Sequence, residues 1–264
     1  MKIHPTAVVD PAARLGADVE IGPYACLGGE VEIGARSVVQ AHAVIEGAVR
    51  LGTDNRIGHG AVIGAPPQDL SFQPGTKSSV EIGHHNLIRE HVTIHRGTAP
   101  DSATRLGDHN FLMVGAHLGH NCAVGDRVII ANNCLLGGYV TIEDGAFLGG
   151  GCVFHQFMRV GRLAITQGIG GFGTDIPPFV AAAGINKVVG LNVVGMKRAG
   201  LDAEDRAEIK AAFRLLYESG LNVSQALEQA QARTWREPAQ AFFDFVSAAK
   251  KRGICGLRRR RDTA

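Results

Sequence analysis

The chain has 264 residues, with 27 Lys and Arg against 25 Asp and Glu and a hydrophobic content of 45%, the balance of a soluble globular protein that can bury a core. A formal net charge of +2 excludes an electrostatic nucleic-acid footprint, and no window approaches the ~18 apolar residues of a membrane span. The 35 glycines are far above the usual ~7%, while aromatics reach only 6%, which predicts tight turns and small side chains rather than a helical or doubly wound enzyme.

Met1 to Leu15 is interrupted by Pro5, Asp10, Pro11 and Arg14 and does not read as a secretory signal. Cys26, Cys122, Cys134, Cys152 and Cys255 show no CxxC spacing, so neither a disulfide framework nor a zinc knuckle is expected, and a reducing cytoplasm is the predicted compartment. From Ile3 every sixth residue is aliphatic: Val9, Leu15, Ile21, Leu27, Ile33, Val39, Ile45, Leu51, Ile57 and Ile63 follow without a miss. Gly often comes next, and a small or β-branched residue usually stands two before. Gly64 to Ser79, with Pro66, Pro67 and Pro74, reads as a protruding loop. The period resumes at Ile82, Ile88 and Ile94 and runs from Leu106 to Val160; Pro100 breaks it, and Arg96 to Thr104 reads as a second loop. After about Asn186 the pattern becomes helical. Asp202 is a predicted cap for a helix toward Glu218 that buries Ile209, Phe213, Leu216 and Tyr217 and stops at Gly220. A second helix starts at Asn222 or Ser224 and passes through Leu227, and a third follows Pro238 through Phe242, Phe243 and Phe245. Arg258 to Arg261 read as a solvated tail, with a contact to an acidic partner as the alternative.

A six-residue period is a solenoid signature: short strands joined by turns, each coil burying what it cannot bury alone. At this point the sequence resembles the hexapeptide-repeat transferases. The resemblance implies a left-handed parallel β-helix of three hexads, eighteen residues, per coil. The expected fold is therefore mainly β: a left-handed parallel β-helix over residues 1–187 and a small α-helical C-terminal domain over residues 188–264.

His4, His42, His59, His84, His85 and His109 have no partner that the sequence names and read as exposed or structural. The stretch from Gly115 to Asn121 is different. With eighteen residues per coil, His120, Gly138 and Gln156 fall in one column, one strand spacing of ~4.8 Å apart. An imidazole then lies one step from a backbone N–H that no side chain guards. Acyl transfer needs both a base near neutral pKa and a donor for the charge on the carbonyl oxygen. Spacing alone leaves open a Gly138 that serves only its turn.

The ordered set NLIREHVTIHRGT from Asn86, HLGH from His117, Ala131-Asn132-Asn133, His155-Gln156-Phe157, DIPPFV from Asp175, Gly190-Leu191-Asn192 and Met196-Lys197-Arg198 resembles the acyl-[acyl-carrier-protein]–UDP-N-acetylglucosamine O-acyltransferases of lipid A synthesis. The resemblance runs along nearly the whole chain. It implies transfer of a 3-hydroxyacyl chain from acyl carrier protein to the 3-hydroxyl of UDP-N-acetylglucosamine, without cofactor, metal or covalent intermediate. By position it implies His120 as general base, Gly138 as oxyanion donor and Asp69 beside the sugar and the base. Gln68 precedes Asp69 in the same loop and joins the substrate contacts. His117, His155 and Gln156 match nucleotide-sugar contacts, and Asn192 and Arg198 match the uridine-diphosphate end. Gly168, flanked by Ile165 and Ile169, matches the acyl-chain ruler, and a glycine there leaves the groove open for a longer chain. The family assembles as a homotrimer with its sites between subunits. Three positions depart from a well-known family form: Tyr139 stands for a histidine and is kept as a sugar contact through its hydroxyl, Asn121 for an aspartate, and Val194 for an acidic residue. Three alternatives are weighed: acylation of a 3-amino UDP-sugar, a carbonic-anhydrase-like zinc lyase using His117 and His120, and a non-enzymatic solenoid scaffold.

Overall fold

A computed structural model describes residues 1–249 and 252–258; Arg259 to Arg261 of the predicted tail lie outside the described residues. Each hexad becomes a short strand and a corner, beginning with Lys2–Ile3, Val8–Val9 and Arg14–Leu15. Among the described residues the strands stack into three sheets of twelve, nine and eight strands, the faces of a left-handed parallel β-helix. The register follows the hexads: Lys2 pairs with Glu20, Glu20 with Val38 and Val38 with Arg56, eighteen positions at each step. Arg56 then pairs with Leu87, 31 positions on, and Leu87 with Phe111, 24 on. The excess chain leaves at two places on one corner, between Val62–Ala65 and Ser79–Ile82 and between Thr93–His95 and Ala103–Leu106, where both loops are predicted.

The periodic aliphatic side chains point inward. Ile57, Ile63, Ile88, Ile94, Leu112, Leu118, Ile130 and Leu136 have no exposed surface, and each buried side chain of this size contributes ~1.5–3 kcal/mol of transfer free energy. The small position two before each is also interior, as at Val19, Ala25, Ala43 and Ala61. At one corner that position is polar and still buried, in Ser37, Asn55, Asn86 and Asn110. These side chains bond up the stack. Asn55 Nδ2 donates to the carbonyls of Gly52 and Gly83, and its Oδ1 accepts from Asn86 N at 2.9 Å. Asn86 Oδ1 accepts from Asn110 N at 2.8 Å, and Asn110 Oδ1 from Val128 N at 2.7 Å.

The parallel coils of the first sheet end at Val180–Ala183, and the sheet continues with Lys187–Leu191 paired antiparallel to it. Four helices follow among the described residues: α1 Val193–Arg198, α2 Ala203–Tyr217, α3 Val223–Ala230 and α4 Glu237–Ser247. Asp202 caps α2, Asn222 caps α3 in a capping box with Gln225, and Pro238 lies in the first turn of α4. α1 has no counterpart in the sequence reading, because six residues are too few to show a period. Gly256–Leu257 returns to pair with Lys187–Val188. Arg159 bonds Asp175 and the Phe245 carbonyl, and Arg162 bonds Glu237, so the helical layer is tied to the top coil by charge-assisted bonds. No helix among the described residues is long and apolar enough to cross a membrane.

Candidate active site

Strand His117–Leu118 lies on the second face, with Leu135–Leu136 and Val153–Phe154 stacked on it in register. This stacking brings Gln68, His117, His120, Gly138, His155 and Gln156 to one cleft of about 450 Å³. A larger trough of about 930 Å³ runs along the third face between charged side chains and contains none of the predicted site residues, several of which gather in the smaller cleft.

His120 Nδ1 is 3.0 Å from Asn121 Oδ1, which also receives Thr98 N at 3.1 Å and Thr98 Oγ1 at 3.0 Å. A backbone N–H only donates, so the shared amide atom is the carbonyl oxygen and His120 Nδ1 carries the proton. The lone pair is therefore on Nε2. Tyr139 donates to Thr98 Oγ1 at 3.1 Å, meets the His120 ring edge-to-face at 5.3 Å, and stacks on Phe157 at 4.8 Å. Asn121, Tyr139 and Phe157 each sit at the left-handed position of their corner, at φ of 59°, 60° and 67°, which stacks them in one column beside the base.

The His120 ring lies directly over Gly138: a Cβ there would strike its Cε1 and Nε2. Gly137 N donates to the Phe154 carbonyl and Tyr139 N to the His120 carbonyl, both at 2.9 Å, while the N–H of Gly138 between them has no acceptor among the described residues. The column read from the sequence is thus a contact, with an imidazole base and an unclaimed amide side by side.

Asp69 in the first loop accepts from the hydroxyl and N–H of Ser71 at 2.7 and 2.8 Å. Those bonds and the nearby His120 hold its carboxyl below the usual range, so it is charged at neutral pH. His117 Nδ1 is 2.7 Å from Thr93 Oγ1, and its ring meets His95 edge-to-face at 4.9 Å. Burial pulls His117 down to about 4 and also lowers His95. Both are neutral at pH 7 and act as hydrogen-bonding groups without opposing charge at His120. His95 lines the cleft and was not singled out from the sequence, although it lies within the IHRGT motif.

The other predicted residues lie elsewhere in this chain. Asn192 caps α1, accepting from Gly195 N at 2.9 Å and donating to the Leu163 carbonyl at 2.8 Å, and Arg198 is exposed in the last turn of that helix. Val194, also on α1, is exposed. Gly168 and Ile169 are exposed at a different corner, beside the half-buried Ile165. Strand Ile165–Thr166 precedes Gly171–Phe172, which lies three steps above His117–Leu118 in the stack, ~14 Å along the axis. Among the described residues no three His, Cys, Asp or Glu side chains are grouped to hold a metal ion.

The family model of UDP N-acetylglucosamine O-acyltransferase, domain 2, matches residues 175–255, and that of the bacterial transferase hexapeptide matches residues 12–47 and 103–138. An acyl-[acyl-carrier-protein]–UDP-N-acetylglucosamine O-acyltransferase of Paraburkholderia xenovorans is 45% identical over 261 residues, 96% of this chain and 98% of the relative. The chain belongs to this family. A Janthinobacterium member is 43% identical over 259 residues, with the same coverage of both chains. A solved UDP-N-acetylglucosamine acyltransferase from Bacteroides fragilis superposes with a TM-score of 0.90 at 39% identity, covering 95% of this chain and 98% of that one. One from Campylobacter jejuni gives 0.91 at 34% identity, covering 97% and 100%. The chain is therefore an acyltransferase, and the zinc-lyase and scaffold readings are set aside.

Proposed function

We propose that the chain moves a 3-hydroxyacyl group from acyl carrier protein to the 3-hydroxyl of UDP-N-acetylglucosamine, the opening step of lipid A synthesis, with His120 as base and the Gly138 N–H as oxyanion donor. The observation that carries this is the His120 ring seated over Gly138 with its Nε2 lone pair free and an unclaimed N–H beside it. The sugar hydroxyl gives its proton to Nε2 as its oxygen bonds to the thioester carbonyl carbon. The oxyanion that forms is received by the Gly138 N–H. Collapse breaks the carbon–sulfur bond, and the departing thiolate takes the proton back from the imidazolium. The Asp69 charge favours that imidazolium, while Gln68, His117, Tyr139, His155 and Gln156 line or back the sugar's place.

We further propose a cytoplasmic homotrimer. The outward residues of the first face begin with Lys2, Glu20, Val38 and Arg56 and from there upward are Leu87, Phe111, Ile129 and Phe147, and those of the second include Leu135 and Val153. The third face instead carries a ladder in which Arg14 and Arg50 pair with Glu32, and Arg105 with Glu81. Two faces with apolar residues along their upper coils and one charged face suit a closed ring in which the first face of one copy covers the second face of the next. Such a ring would set Gly168, Asn192 and Arg198 of one copy against the cleft of its neighbour, where they would act as acyl ruler and nucleotide contacts.

The test is acyl transfer from a panel of 3-hydroxyacyl carrier proteins to UDP-N-acetylglucosamine and to its 3-amino analogue, with His120→Ala alongside. The hydroxyl sugar and the longer chains are the expected substrates, and the variant should lose at least ~10²-fold in rate. Preference for the amino sugar would replace the acceptor, and a fully active variant would remove His120 from the mechanism.

A further inference from the structure

The corner column that starts at His120 rises through Gly138 to the level of His155 and Gln156, two strand spacings or roughly 10 Å from the base. At that level the end of the chain returns to the β-helix. Asp175 N donates to the Gly253 carbonyl at 3.0 Å, Cys255 N to the Asp175 carbonyl at 2.8 Å, and the Tyr217 hydroxyl to the Cys255 carbonyl at 2.9 Å. The segment pinned in this way presents Arg252, whose Nη1 stands 2.6 Å from His155 Nδ1. A guanidinium has only donors, so Nδ1 accepts and the ring proton is on Nε2. Nδ1 cannot then also donate to the Gln156 carbonyl 3.2 Å away, and that approach is a contact without a hydrogen bond. Nearby, Arg159 is neutralised by Asp175 and Arg162 by Glu237; among the described residues no carboxylate pairs with Arg252. Its charge and its remaining N–H groups are held at the cleft rim by a neutral partner.

We infer that Arg252 and the Nε2–H of His155 form the phosphate-binding pair of this cleft and hold the diphosphate of the nucleotide sugar. The inference rests on the acceptor proposed above. A pyranose bears its anomeric oxygen and its 3-oxygen on ring carbons separated by one carbon, so the two oxygens leave the ring in different directions. A sugar whose 3-hydroxyl meets His120 Nε2 can then extend its anomeric diphosphate along the cleft to the level of His155, two strand spacings away. There the planar guanidinium fork matches phosphate oxygens, as a lysine point charge does not. The carrier's prosthetic arm also bears a phosphate, so the experiment must separate the two sources.

Arg252→Ala and Arg252→Lys are compared with the wild type by measuring KM separately for UDP-N-acetylglucosamine and for the acyl carrier, and by calorimetric titration with UDP alone. The alanine variant should raise KM for the nucleotide sugar and weaken UDP binding at least ~10-fold, with kcat within about threefold and the carrier KM unchanged. Lysine should restore part of the loss. A rise confined to the carrier KM would overturn the assignment in favour of the prosthetic-arm phosphate. A fall in kcat alone, or no change, would make the pair a tail anchor. A wild type that binds UDP but does not turn over the sugar would defeat the proposed acceptor, while the UDP titration would still decide the role of Arg252.

Discussion

Gly138 is the position where one added carbon would separate the proposed base from the proposed oxyanion donor, because a Cβ would occupy the place of the His120 ring. Gly138→Ala should lower kcat by ~10²-fold or more, with a far-UV spectrum like that of the wild type; retained kcat would show that the amide takes no part. His117 allows a pH test. Its folded pKa is about 4, against ~6.5 in an unfolded chain. Between these values the unfolded chain binds a proton that the folded one does not, so stability falls as pH drops from ~6.5 toward 4. His117→Gln, which can keep a bond to Thr93, should lose less melting temperature between pH 7 and pH 5 than the wild type. An equal loss would place the proton uptake elsewhere. His120, Gly138 and Gln156 could be aligned because the hexad phase is unbroken between them and the resemblance implies eighteen residues per coil. Thr98 could not be, because it reaches Asn121 and Tyr139 from a loop whose length breaks the period.

Among the elements, the hexad strands were legible because each needs only its own pattern to choose which side faces in. The Asn ladder was not. A polar residue at an inward position reads as a break in the pattern until the stacked carbonyls and N–H groups that satisfy it are seen. Asn86→Ala removes the acceptor for Asn110 N and leaves that buried N–H unpaired, while Asn55 Oδ1 loses one of its two donors and keeps the backbone N–H of residue 86. It should cost about 2 kcal/mol, read as a lower denaturant midpoint; an unchanged midpoint would show that the corner relaxes without the ladder. Helices α2, α3 and α4 were readable from Asp202, Asn222 and Pro238, since caps act within one turn. α1 was not, and its cap Asn192 had been read only as a nucleotide contact.

For the whole molecule, the proposed ring makes the first face an interface. Phe147 points outward beside the buried Leu148, so Phe147→Glu should leave the coil intact and shift the protein from trimer toward monomer in light scattering after size exclusion, with loss of acyl transfer. A stable trimer carrying this charge would move the interface to another face. The proposed ring would account for the distance of Gly168 and the α1 residues from the cleft of their own chain: a periodic solenoid puts its corners far apart, and a second copy would bring two of them together.

By itself the sequence determined the solenoid, its two loops and three of its helices, because these follow from a local period and from caps that act within a few residues; the His120–Gly138 column needed in addition the coil length that the family resemblance implies. Only the tertiary structure decided the proton position on His120, the neutral His95–His117 pair and the seat of Arg252 on His155, 97 positions away. Those depend on contacts between segments whose separation is set by loop lengths and by the path of the chain back over its last coil, and no periodic pattern encodes that path.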